Sequence, residues 1–139
     1  MRTALDSNIV SSIWSEEESS VFLLQQIAEA QRIGALVLSP IAFCELLAHP
    51  RVSPASARSL LEKSNMQIDF MLSESVWMEA GIRYARYAER KRKAVGEFPK
   101  RLLPDFVVGA HALLQADRLM TMDGQRYRTY FPELVLYEM

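Results

Sequence analysis

Apolar residues in this chain follow two periodicities that alternate along its length. Short β-type runs occupy Arg2 to Leu5, Leu36 to Leu38, Met66 to Ile68, Leu119 to Thr121 and Leu134 to Leu136. Longer stretches between them carry helical spacing: Leu23, Ile27 and Ala30 recur three and four residues apart. Ser39-Pro40 and Ser53-Pro54 each read as an N-cap followed by a first-turn proline. Parallel strands need helical crossovers to bring the chain back to the same edge, so the alternation predicts an α/β fold. The expected architecture is a three-layer sandwich with a mostly parallel sheet of about five strands flanked by helices. No repeat or low-complexity tract divides the chain. The clearest break, Val95 to Leu103 with Gly96 and Pro99, is expected to be a loop within one domain spanning residues 1–139.

Composition narrows the function without naming it. The 139 residues include 16 Lys plus Arg against 17 Asp plus Glu, and half are apolar, which excludes a disordered or polybasic chain. The N-terminus MRTALDSNIV has neither a signal-type apolar stretch nor a cleavage site, and no run approaches a membrane span, so a cytoplasmic protein is expected. The lone cysteine, Cys44, has no internal partner, and no Cys/His cluster has zinc spacing. Any metal here must be held mainly by oxygen.

Four acids stand where the predicted fold brings sequence-distant residues together. Asp6 directly follows the first strand, at the carboxyl edge where open α/β sheets bind ligands; alone, it reads as well as a helix N-cap. Glu45 is the only charge between Gly34 and Ala48, and on a helix it shares a face with Ile41, Ala42 and Ala48. Burying it unpaired costs several kcal/mol, so it must reach water, a cation or a metal. Asp105 opens Pro104-Asp105-Phe106, the start of an apolar helix whose first turn a right-handed crossover returns to the same edge; an aspartate there also complements the helix dipole. Asp123 follows the fourth run, with Thr121 two residues earlier on the same side; Asp123-Gly124 alone reads as a turn. Gathered carboxylates either hold their protons more tightly or recruit cations, and Mg2+ or Mn2+ suits a hard-oxygen site. Such a centre can activate water and screen a phosphodiester.

The ordered set Leu5-Asp6-Ser7-Asn8, Glu45, Pro104-Asp105-Phe106 with Gly109-Ala110, and Thr121-Met122-Asp123 resembles the four acidic signatures of PIN domains. Their order and spacing, with the ending Tyr127-Arg128-Thr129-Tyr130-Phe131-Pro132, look most like the VapC-type toxins of bacterial and archaeal toxin–antitoxin pairs. The resemblance implies that Asp6, Glu45, Asp105 and Asp123 form a catalytic, metal-binding cluster supported by Asn8 and Thr121. It implies a metal-dependent endoribonuclease that dimerises and is silenced by a small antitoxin protein. Met122 and Gly124-Gln125 depart from the commoner family residues at those positions.

An acidic centre needs a basic surface nearby to attract RNA. Between Arg83 and Arg101 lie eight Lys/Arg residues and two acids; Arg83, Arg86, Arg90 and Lys93 form one helical stripe, and Lys100 and Arg101 lead toward Asp105. These six are the expected RNA contacts, against the plainer reading of a solvated helix face. Cys44 is read as packed against its apolar helix and His111 as a hydrogen-bonded core residue. The tyrosines at helical spacing read as core, with Tyr127 or Tyr130 a candidate to stack on a base. The alternative function is a non-catalytic PIN-like module that binds RNA or protein.

Overall fold

The computed structural model describes residues 1–14, 19–95 and 102–139. The chain runs β1 (Thr3–Leu5), α1 (Ser7–Ser11), a 3-10 turn (Ser12–Trp14), α2 (Ser19–Ile33), β2 (Leu36–Leu38), α3 (Pro40–Leu47) and α4 (Pro54–Lys63). It continues through β3 (Met66–Ile68), α5 (Glu74–Val95), α6 (Leu103–Gln115), β4 (Arg118–Met120) and α7 (Gly124–Tyr130). The strands form one parallel sheet in the order β3-β2-β1-β4. Thr3 pairs with both Leu36 and Arg118, and Leu5 with Met120, which fixes the register at the centre.

The α/β architecture with a parallel sheet between helices is as the sequence predicts, but the strand count is lower. The expected fifth strand, Leu134 to Leu136, is a tail that makes a single parallel bridge, Leu119 to Leu136. Its backbone bonds to the sheet only where Leu119 N–H donates to Val135 and Tyr137 N–H donates to Leu119. β4 also ends one residue early, leaving Thr121 just beyond it.

Local chemistry accounts for the elements that carry the site. Ser39 and Ser53 cap α3 and α4 as expected, accepting the N–H of Ala42 and Ser56. β1 and β2 are buried at every position, as suits inner parallel strands covered on both faces; Thr3 is tolerated there because Arg118 Nε donates to its hydroxyl at 2.9 Å. α6 is buried from Phe106 through Ala112 and packs on β1, β4 and α5. Gly109 permits this helix to meet Phe131: a Cβ there would lie 2.3 Å from that buried ring. Phe131 in turn ends α7, so the contact helps set the position of that helix beneath the site.

His111 is buried and its Nε2 lies 2.8 Å from Asp69, which also pairs with Arg2, so it is the hydrogen-bonded core histidine expected. Cys44 is exposed rather than packed. α3 turns Ala42 and Leu46 to the core, and Cys44 falls on the opposite side of the helix. The Val95 to Leu103 loop lies largely outside the described residues. No helix among the described residues is long and apolar enough to cross a membrane.

Candidate active site

The order β3-β2-β1-β4 creates a topological switch. From β1 the chain builds outward through β2 to β3, then returns to place β4 on the other side of β1. The crevice outside the carboxyl ends of such a strand pair is where open α/β sheets bind ligands. Asp6 leaves β1 there, and Thr121 and Asp123 leave β4 there.

Asp6 is nearly fully buried and its oxygens are divided between partners. Oδ1 accepts the Ser7 N–H at 2.8 Å, capping α1. Oδ2 accepts two hydroxyls, Thr121 Oγ1 at 2.9 Å and Tyr127 OH at 3.2 Å. Burial pushes the Asp6 pKa upward, the Thr121 hydrogen bond opposes that, and the Asp105 charge adds to the rise.

Thr121 and Asn8 tie Asp123 to this carboxylate. The Thr121 oxygen that donates to Asp6 accepts the Asp123 N–H at 3.0 Å. Asn8 Nδ2 donates to Asp123 Oδ2 at 3.4 Å, while its Oδ1 accepts the Met122 N–H at 3.3 Å. Asp123 stands just before α7 without capping it by a side-chain bond, which leaves its carboxylate turned to the cleft residues.

Glu45 reaches the same edge from α3, where Ser7 Oγ donates to it at 3.4 Å. It is exposed, so the expected face is its border: Ala42 is buried, whereas Glu45 and Ala48 meet water. Its pKa is raised by partial burial and then by the charges of Asp6 and Asp105. Asp105, in the first turn of α6, is also raised, first by burial, with Arg126 opposing and Asp123 adding. The mutual effects link Asp6 to Asp105, Glu45 to both, and Asp105 to Asp123.

The convergence stops short of a closed coordination shell. Among the described residues, no group of three or more His, Cys, Asp or Glu side chains stands close enough to hold a metal ion. Like charges oppose a tighter approach, and a residue the sequence reading missed intervenes: Arg126 donates to Asp105 at 2.8 Å and lies 3.7 Å from Asp123. Its spacing of three from Asp123 on α7 is a visible ion-pair signal, but nothing in the sequence points it at Asp105. Tyr127, expected as a core residue or a base-stacking one, is core. With 2% exposure it cannot stack on a base, and its hydroxyl belongs to Asp6 instead.

The proposed RNA contacts divide into different environments. Arg83 is mostly buried over the Phe131 ring, pairs with Glu79 and Glu133, and donates to the Tyr130 carbonyl at 2.9 Å. Lys93 pairs with Glu89 at 2.9 Å. Arg86 and Arg90 are exposed, pair with no acid among the described residues, and line a groove of ≈ 230 Å³ with Arg83, Thr129, Tyr130 and Glu133, whose carboxylate is taken by Arg83. Lys100 and Arg101 lie outside the described residues.

The fold recurs in known structures across nearly the full chain. VapBC-1 from nontypeable Haemophilus influenzae is similar with a TM-score of 0.66 and 21% identity, covering 99% of this chain and 98% of the other. VapBC2 from Rickettsia felis, bound to a promoter DNA fragment, gives 0.70 and 18% over 99% and 98%. A toxin–antitoxin complex from Klebsiella pneumoniae gives 0.62 and 18% over 99% of both chains. No curated protein matches in sequence. The PIN domain family model matches residues 3–132, almost the whole of the fold described above, and this chain therefore belongs to the PIN domain family.

Proposed function

We propose that this protein is a divalent-metal-dependent endoribonuclease, the toxin of a VapBC-type toxin–antitoxin pair. The observation that carries the reading is electrostatic. Asp6, Glu45 and Asp105 come from three separate elements and face the same switch point, too far apart to form a metal shell as they stand but near enough that the pKa of each is raised in part by an acidic neighbour. A fold that gathers carboxylates in this way gains from a cation, and their hard oxygens suit Mg2+ or Mn2+. Asp6, Glu45, Asp105 and Asp123 would hold the ion, which would activate water and screen the phosphodiester. Thr121, Asn8, Ser7 and Tyr127 keep those carboxylates oriented. Arg86 and Arg90, free of acidic partners among the described residues, would take the RNA backbone in the adjoining groove.

The structural relatives are VapBC or toxin–antitoxin complexes, which supports a small antitoxin as partner. A homodimer is proposed on the sequence resemblance alone. The pairing of Asp105 with Arg126 favours one other reading, a non-catalytic module whose acids serve only to bind RNA or protein. Incubation of purified protein with structured and unstructured RNA separates the two. The nuclease reading expects new RNA ends with Mg2+ or Mn2+, none with EDTA, and none from Asp6→Asn. Intact RNA with every metal, from protein that binds RNA, favours the module.

A further inference from the structure

Arg126 is the cation in contact with the acid cluster among the described residues, and it touches two of the four carboxylates. Its side chain is 38% exposed, reaching in from the first turn of α7 rather than being packed in place. A guanidinium stays charged at any working pH, so Arg126 cannot withdraw by losing its proton. Asp105 holds it through Oδ2 at 2.8 Å, while Asp123 Oδ2 at 3.7 Å adds a weaker attraction. These are oxygens that a divalent ion bound by the same acids would need.

We infer that Arg126 is a tethered counter-ion that competes with the divalent metal for Asp105 and Asp123. The inference rests on the metal-dependent reading proposed above. Without metal, Arg126 offsets part of the repulsion between the two carboxylates. A bound metal would take the carboxylates by its stronger charge, and the guanidinium would be free to leave them on its flexible arm. Its fork of N–H donors would then lack an acceptor, and a phosphodiester oxygen is the acceptor those donors fit best. Arg126 thus sets how tightly metal binds before substrate arrives, and metal and RNA binding reinforce each other through it.

The test is calorimetric titration of Mn2+ into wild type, Arg126→Gln and Arg126→Lys, each first shown to be folded by circular dichroism. An exposed ion pair contributes up to about 1 kcal/mol, so its removal should tighten Mn2+ binding by about fivefold in Arg126→Gln. Arg126→Lys keeps the charge and should stay near wild type. A short RNA titrated in Ca2+ should bind the Gln variant more weakly than wild type, although metal binds it more tightly. Equal or weaker Mn2+ binding by a folded Gln variant, with normal binding by wild type, overturns the role of Arg126 alone. No Mn2+ binding by any of the three overturns the metal-dependent reading and the inference with it.

Discussion

Tyr127 and Asp6 are 121 residues apart, yet the tyrosine hydroxyl donates to the aspartate Oδ2 at 3.2 Å in an almost water-free setting. The same oxygen takes the Thr121 hydroxyl, so one carboxylate atom anchors both the end of β4 and the middle of α7. A hydrogen bond to a charged acceptor contributes more than a neutral one, about 1.5–3 kcal/mol. Because Thr121 remains as donor, Tyr127→Phe should cost near the lower limit, about 1.5 kcal/mol, in urea unfolding. An unchanged unfolding midpoint would mean that this contact does not fix Asp6.

Glu45 should show opposite effects on stability and activity. Its pKa in the fold is raised, so the folded state binds a proton more readily than the unfolded chain, and the ionised form works against folding at neutral pH. Glu45→Gln removes that repulsion while losing only a long bond from Ser7. Metal-free protein should gain about 0.5 kcal/mol after allowance for solvent screening. The same variant should lose RNA cleavage and most of the rise in melting temperature produced by Mg2+. A variant that melts lower than wild type in EDTA would contradict the electrostatic account.

Burial lowers the His111 pKa, against the raising effect of Asp69, so the ring is neutral in the fold over a range where it is charged in the unfolded chain. As pH falls below the ordinary histidine value, the unfolded chain gains a proton that the fold refuses, and stability drops until the lowered pKa is reached. The slope approaches about 1.4 kcal/mol per pH unit at most. The acids whose pKa values are raised act with the opposite sign at lower pH, so the comparison that isolates His111 is wild type against His111→Asn. Unfolding free energies measured from pH 7.5 to 5.5 should converge as pH falls; parallel curves would show that His111 does not titrate in that way.

The basic groove makes a salt-dependent prediction. Reversal of charge at Arg86 and Arg90 would remove the two proposed phosphate partners without breaking an ion pair among the described residues. Each lost phosphate contact should lower the slope of log affinity against log salt by about 0.7 for single-stranded RNA. Filter binding with a cleavage-deficient Asp6→Asn background reads that slope directly. An unaltered slope would remove this groove from the RNA path.

Much of this geometry is written locally, and some is not. The caps at Ser39 and Ser53, the helical spacing of Leu23, Ile27 and Ala30, and the buried face of α6 follow from short-range patterns, and the structure reproduces them. Topology brings Asp6 and Asp123 to one edge and strand alternation puts Thr121 beside Asp123, whereas a supporting role for Thr121 is legible only through the family resemblance; its hydrogen bond to Asp6 Oδ2 is a finding of the structure. What escaped were contacts decided by three-dimensional packing. Arg83 belongs to a legible basic stripe, but its pairing with Glu133 depends on how the tail crosses α5. Tyr127 reads as core by spacing, and nothing local indicates that its hydroxyl meets Asp6. The fifth strand failed because its apolar run was correct but the tail meets β4 at one residue only.

Metal-dependent cleavage as proposed requires a cation shared by carboxylates from separate elements. The most direct measurement is the anomalous scattering of crystals soaked in Mn2+. A peak bonded to oxygens of Asp6 and Asp105, with Arg126 moved off Asp105, is the predicted result. Density at saturating Mn2+ that shows Arg126 still on Asp105 and no peak among Asp6, Glu45, Asp105 and Asp123 would contradict it.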